Sequence, residues 1–337
     1  MSVEESARTM FARHKLGGDG EGIRWLKDNN YIAINWDDSP STDETTYGDD
    51  GRSRGYQEVR RMRNVRDENR PVIIGAYYGN KIDEFRDRMV IGRIDPETNI
   101  HIIHYHQGET PSVYESEKAA REAGVPDVHE DEFPDKLEDE WVYKALPLVG
   151  CGAYGEPKEV SLTDYPLLSA VRPRHHSFCD WHVAEAHLKA FDAGHRSFRN
   201  INNSIDDLSD PLAPSQLEVI CNEYLRLSDN HGSYTQLLPV GRTLRDVDIV
   251  GTSGGQKIFA QVTKATDSDL KSKAKKLATY KKPNVQTVLF GPENAYNDDE
   301  MPEGVDEYRS VRSVVDEVDA HSPELLDAMY ELPEPMS

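Results

Sequence analysis

Apolar residues in the first half of the chain come in short blocks cut by turn formers. PVIIGAYYG (71–79), RMVIGRID (88–95) and NIHIIHYH (99–106) are separated by GNK and by DPETN. Blocks of this length, rich in Ile, Val and Tyr and bounded by Gly, Asn, Asp or Pro, predict strands joined by tight turns. YIAINW (31–36) and WVYKALPLVG (141–150) extend the set. Residues 6–16 and 21–28 read as short helices, 56–68 as a longer Arg-rich one, and 108–140 as a charged loop with one short helix. Strands this short predict a small, mostly β barrel with peripheral helices.

The pattern changes after residue 177. FCDWHVAEAHLKAFDAG (178–194) predicts a helix, and INNSIDDLSDPLAP (201–214) is a linker by composition. Apolar residues at 217, 220, 221, 224 and 225 then form a helical stripe behind Pro214. Strands follow at 234–241, 246–251 and 257–263, then a helix at 269–280 and a strand at 284–291. The order α–β–β–β–α–β predicts a mixed-sheet α/β core. Helices near 305–319 and 323–331 close the chain, in a tail (292–337) with 14 acids against Arg309 and Arg312. The length of 337 residues suits two domains. They are expected at 1–175 and 214–337, with a helix and linker over 176–213. The expected fold class is therefore α+β in the first half and α/β in the second.

Charge sharpens this picture. Asp plus Glu number 61 and the net charge is −22. Acids are spread among periodic apolar segments, so the chain is not a disordered acidic tail. Lys (16) is scarce beside Arg (23), a composition that resembles proteins of salt-in halophiles. Yet eight Lys fall within 257–282, opposed only by Asp267 and Asp269, which leaves that window at +6. Cations so concentrated in an acidic chain predict a docked polyanion. High salt weakens the counterion-release drive for such docking, so stacking and hydrogen bonds must carry more of it. The three Cys show no paired spacing, no apolar run reaches the ~20 residues of a membrane span, and MSVEESARTM lacks a signal-peptide core. A cytoplasmic protein with no membrane partner is the expectation.

Residues 246–282 also hold the candidate chemistry. DVDIVGTSGGQKIFAQVTK reads as strand, glycine turn, strand, with Asp248 on the first strand and Gln261 on the second. A basic helix follows, and LEVICNEYLR precedes it with Glu218 and Glu223. Residues 214–291 resemble the PD-(D/E)xK nuclease superfamily, in particular its Mrr-like restriction endonucleases. The resemblance implies Mg²⁺ (or Mn²⁺) held by Asp248, Gln261 and Glu218, with the Val262 carbonyl as a further ligand. It also implies a Lys that positions water, and pairing as a homodimer. The position two after Gln261 is Thr263, however, not Lys. Along a strand Gln261 and Thr263 share one face and Lys264 takes the other. The Lys role falls to Lys264 if the strand bends, or to Lys271 or Lys273 from the following helix. Otherwise no Lys serves, and the fold binds without cutting.

The first half resembles the EVE/PUA-like barrel family over about 25–105, through WLKDNNYIAINWDD, VIIGAYYG and RMVIGRID. The resemblance implies an aromatic pocket for a modified or flipped base, with Trp36, Asp37, Tyr77 and Tyr78 as candidates. Trp36 as an ordinary core residue is the alternative. Residues 52–70 carry seven Arg against three acids, so Arg60, Arg61 and Arg63 are candidates for phosphate contact, as are Lys275, Lys276, Lys281 and Lys282. In HHSFCDWH, Cys179 and His182 fall one turn apart on the expected helix, a spacing zinc can use, but no second cluster pairs with it. The function these readings imply is a DNA-targeting restriction endonuclease, directed at modified or foreign DNA. The alternative is a non-catalytic DNA- or RNA-binding protein on a nuclease scaffold.

Overall fold

The structure is a computed structural model that describes residues 7–14, 20–48, 53–68, 71–80, 82–128, 139–173, 177–201, 209–228, 231–241, 244–293, 295–296 and 301–336. Residues 202–208 of the expected linker, together with His175 and His176, lie outside these residues. The chain divides into two compact units, Met1–Arg196 with Leu332–Ser337, and Ser197–Glu331.

The first unit holds two sheets. One runs β8 (Lys158–Ser161), β4 (Arg88–Ile94), β3 (Val72–Tyr77), β1 (Arg8–Arg13), β9 (Phe178–Asp180); the other runs β2 (Tyr31–Ile34), β7 (Glu140–Pro147), β5 (His101–His106), β6 (Ser112–Tyr114). All pairings are antiparallel except β1 with β3. One core lies between the sheets: Met10, Val72, Ile74 and Ala76 meet Ile32, Ile103, Tyr105 and Tyr143, with α1 (Glu21–Asp28) and α2 (Arg54–Asp67) adding Ile23, Leu26, Val59 and Met62. A second core forms on the other face of the first sheet, where Phe11, Ile73 and Ile91 meet Trp181 and residues Leu188 and Phe191 of α5 (Glu185–Asp192). The expected barrel is not found. Among the described residues both sheets are open, and a bridge from Arg93 to Val149 joins β4 to the segment leaving β7.

Two further expectations fail for one physical reason. Residues 8–13 form β1, not a helix, and 178–180 form β9, with the helix starting only at Glu185. β1 is sandwiched between two cores, so five of its six residues are buried. A strand covered on both faces loses the alternation that separates it from a buried helix.

The second unit is a five-stranded sheet in the order β10 (Thr235–Gln236), β11 (Ile249–Ser253), β12 (Gln256–Val262), β13 (Val285–Gly291), β14 (Glu307–Ser310). β11 and β12 form a hairpin in which Ser253 pairs with Gln256, so the loop is Gly254-Gly255 alone. Both glycines have positive φ (55° and 83°), as a two-residue hairpin turn with the strand twist requires. β13 and β14 add in parallel. The crossover from β12 to β13 is α7 (Asp267–Ala278), whose Leu270, Ala274 and Leu277 sit at the i, i+4, i+7 spacing of one buried face. They pack on Val250 and Leu289. α6 (Pro214–Leu227) places its Tyr224 edge-on to Phe290 of β13. α8 (Val311–His321) and α9 (Pro323–Tyr330) end the unit. The strand at 307–310 replaces the start of the expected 305–319 helix.

Candidate metal and nucleic-acid site

The β11–β12 register brings Asp248 and Gln261 together. Ile249 pairs with Ala260, and the Asp248 N–H donates to the Ala260 carbonyl at 2.9 Å. Asp248 and Gln261 are therefore direct cross-strand neighbours, on the sheet face that carries Val250 and Phe259 beneath α7. The Gln261 amide Nε2 donates to Asp248 Oδ2 at 2.5 Å and lies 3.3 Å from the Val262 carbonyl. The Val262 N–H also donates to Asp248 Oδ2, at 2.9 Å. Both side chains are nearly closed off, at 9% and 5% exposure.

This donor set suits a hard cation. A carboxylate, a side-chain amide and a main-chain carbonyl are oxygen ligands of the type Mg²⁺ and Mn²⁺ take. The Gln261 nitrogen sits between two of those oxygens. Turning the amide over brings Oε1 against the carboxylate, an arrangement that only a cation between them would stabilise. Glu218 is half-buried on α6, and its Oε2 is 3.0 Å from where a Cβ on Gly241 would stand. The Gly241 N–H in turn donates to the Asp248 carbonyl at 2.8 Å. Burial holds the Cys221 thiol well above its ordinary value, and the nearby charges of Asp248 and Glu218 add to the effect.

The lysines are placed less simply. The Thr263 N–H bonds the Phe290 carbonyl, so pairing with β13 continues past Val262 and the strand does not bend there. The buried Thr263 hydroxyl accepts from the Ala265 N–H at 3.0 Å. Lys264 donates to the carbonyls of Ser209 and Asp210 at 2.8 and 2.9 Å. On α7, Lys271 is exposed and lines an open cleft of about 550 Å³ with Asp267, Glu293 and Tyr296, while Lys273 is half-buried. Lys276 pairs with Asp246 at 3.4 Å, Lys281 pairs with Asp306, and Lys275 and Lys282 are exposed. Surface pairs of this kind are weak.

In the first unit, Tyr77 and Tyr78 are packed as core. The Tyr77 hydroxyl donates to the Arg86 carbonyl and Arg172 stacks 3.8 Å above its ring. Tyr78 stacks on His14 at 4.1 Å and donates to the Tyr31 carbonyl at 2.7 Å. Trp36 is half-buried, with its indole N–H on Glu58 at 2.8 Å. Asp37 follows in a left-handed turn, φ 48°. The fully buried Lys144 organises this loop by donating to the carbonyls of Trp36 (2.6 Å) and Ser39 (3.0 Å). Burial pulls the Lys144 ammonium down to about 7. Arg60 is exposed, Arg61 reaches the Phe178 carbonyl at 3.4 Å, and Arg63 pairs with Glu44. Cys179 and His182 do not share a helix: Cys179 is buried in β9, with its thiol raised to about 11 by burial, and His182 lies in a following 3-10 turn.

Among the described residues, His104, His106 and Glu140 form a group of His, Cys, Asp or Glu side chains close enough to hold a metal ion. Sequence reasoning passed over it, because Glu140 is 34 positions from His106 and only strand pairing unites them. The alternating His in HIIHYH was its one visible sign.

No family model and no curated protein matches the chain. Among solved structures, MspJI restriction endonuclease in complex with a 27-mer oligonucleotide is similar at 11% identity and a TM-score of 0.19, over 90% of this chain and 69% of that one. A likeness at that score does not establish a shared fold. Among the described residues no helix is long and apolar enough to cross a membrane.

Proposed function

We propose that residues 214–291 are a divalent-metal-dependent nuclease core acting on DNA, with modified or foreign DNA as its target and the first unit reading a base. The observation that carries this reading is the cross-strand pair of Asp248 and Gln261, whose amide nitrogen stands between the carboxylate and the Val262 carbonyl on the sheet face that the basic helix α7 covers. Asp248, Gln261 and Val262, with Glu218, would hold Mg²⁺ or Mn²⁺. The metal, when bound, supplies Lewis-acid polarisation of the phosphate and a lowered water pKa. Asp248 supplies the fixed negative charge, anchored by the Val262 N–H. Gln261 supplies a neutral oxygen once its amide turns. Lys275, Lys276 and Lys282 would track the phosphates, and Lys271 or Lys273 would take the water-positioning role that Thr263 cannot fill. Trp36 is the aromatic ring in the first unit that fits a base contact, because Tyr77 and Tyr78 are enclosed. Action in the cytoplasm, as a homodimer when both strands are cut, belongs to the same reading.

One observation favours a second reading, in which the core binds DNA or RNA without cutting. The Lys264 ammonium is held by the Ser209 and Asp210 carbonyls, on the opposite strand face from Gln261. Incubation of the full chain with modified and unmodified plasmid at high KCl, in Mg²⁺, Mn²⁺ or EDTA, separates the two. Metal-dependent cutting that Asp248→Ala abolishes supports the nuclease. Binding without cutting in every metal supports the scaffold, and competition by RNA identifies the ligand.

A further inference from the structure

A second, softer set of metal ligands lies in the first unit. His104 and His106 are two apart on β5, so both project from the face that carries Ile102. Glu140 opens β7 directly opposite His106 in the antiparallel register, and Val142 beside it faces His104. Ile102 and Val142 are buried on this face with Ala120 of α3 (Glu117–Glu122) and Val125, so the polar trio extends the same face beyond a small apolar cluster. Glu140 Oε1 is 3.3 Å from His106 Nε2 and is bonded to His104 Nε2. The three ligand atoms all lie within 4.8 Å of one another. Ligands about 2.0–2.1 Å from a tetrahedral zinc stand roughly 3.3–3.5 Å apart, so a small rotation of the rings closes the trio on an ion. His104 and Glu140 are half-buried and His106 is exposed, which leaves the fourth coordination position open to water.

We propose that His104, His106 and Glu140 bind one zinc-class divalent cation that clamps β5 to β7. Two imidazoles and one carboxylate are a borderline-soft set that takes Zn²⁺, Co²⁺ or Ni²⁺ in preference to Mg²⁺. This ion is distinct from the hard cation of the β11–β12 hairpin, whose donors are all oxygen.

The test is titration of the full chain with Zn²⁺ by calorimetry, with Co²⁺ absorption as a report of coordination. The wild type and Asp248→Ala should each take one Zn²⁺ at this site and give the visible bands of Co²⁺ on nitrogen ligands, and Zn²⁺ should raise Tm. His104→Ala/His106→Ala should lose that equivalent. Glu140→Gln preserves the size of the side chain while removing the anionic ligand, so it guards against a variant that fails to fold. It should weaken binding at least tenfold with its zinc-free Tm within a few degrees of wild type. Equal Zn²⁺ stoichiometry and affinity in wild type and Glu140→Gln, or a Co²⁺ spectrum that survives loss of both imidazoles, overturns the proposal.

Discussion

Asp248→Asn tests the metal-ligand role proposed for the hairpin separately from its structural role. Without metal, the wild-type carboxylate accepts from the Val262 N–H (2.9 Å) and the Gln261 amide (2.5 Å) in a nearly closed site. Both donors reach the one oxygen, Oδ2, so the asparagine carbonyl oxygen can take its place and accept from both, with its NH₂ at the Oδ1 position. Two charge-assisted bonds become neutral ones, a cost of about 1–2 kcal/mol in EDTA. Added Mg²⁺ acts by mass action on the native state. At ten times a dissociation constant of about 1 mM, it stabilises the wild type by RT ln 11, about 1.4 kcal/mol. The variant should gain almost none of this, so the gap between the proteins should roughly double when 10 mM Mg²⁺ (an order-of-magnitude choice) replaces EDTA. At about 2–4 °C per kcal/mol, a thermal melt followed by circular dichroism resolves each step. An equal Mg²⁺ shift in both proteins would refute Asp248 as a ligand, whatever happened to cleavage.

Other outcomes follow from particular contacts. His14 is buried, with Nδ1 donating to the Tyr77 carbonyl (3.1 Å) and Nε2 accepting from the Ala33 N–H (3.0 Å), and burial lowers its pKa to about 4. Its stabilisation is complete above the unfolded value of 6.5 and is lost as pH falls from there towards 4, about 3 kcal/mol in all at 1.36 kcal/mol per unit. Urea midpoints measured from pH 7 to about 4 should fall less steeply in His14→Gln, and an unchanged slope counts against the site. Lys271→Ala/Lys275→Ala/Lys276→Ala should weaken DNA binding and lower the slope of log affinity against log salt by roughly 0.9 for each phosphate contact removed, read by fluorescence anisotropy. Gly255→Ala should cost about 1–2 kcal/mol by denaturant melt, because φ is +83° while no atom lies within 4 Å of the added Cβ, which leaves backbone strain as the sole cost.

The second unit was the more legible in the sequence. Its elements are short-range: a Gly-Gly turn fixes the β11–β12 register, a Pro opens α6, and α7 shows its apolar face at helical spacing. The meeting of Asp248 with Gln261 follows from that turn alone, because residues equidistant from a two-residue loop must pair. The first unit depends on long-range pairing. β1 joins β3 in parallel across more than sixty residues and β9 across about 170, and no local pattern encodes either partnership. Tyr77 and Tyr78 looked available because aromatic residues at a strand end suit a pocket. Their enclosure depends on His14 and Arg172, which are remote in sequence. The role of Lys144 was hidden for the same reason: three loop carbonyls, 105 to 108 positions away, bind its ammonium.

The position of the missing lysine separates a nuclease from a scaffold, and the strand geometry narrows where it can come from. Thr263 pairs with the Phe290 carbonyl, so β12 keeps its alternation through the residue that follows Gln261 by two. Lys264 therefore leaves on the α6 side, and its bonds to the Ser209 and Asp210 carbonyls, just ahead of α6, hold it there. A bend that brought Lys264 to Asp248 would have to break both of those bonds and the Thr263 pairing, a net cost of about 1–1.5 kcal/mol for each neutral bond and more for those to the ammonium. α7 has no such obstacle. It covers the face on which Asp248 and Gln261 lie, and its first turns carry Lys271 and Lys273 four residues and more beyond the crossover loop. On the proposed reading, that helix offers Lys271 and Lys273 for the water-positioning role, while Lys264 tethers β12 to the segment just ahead of α6.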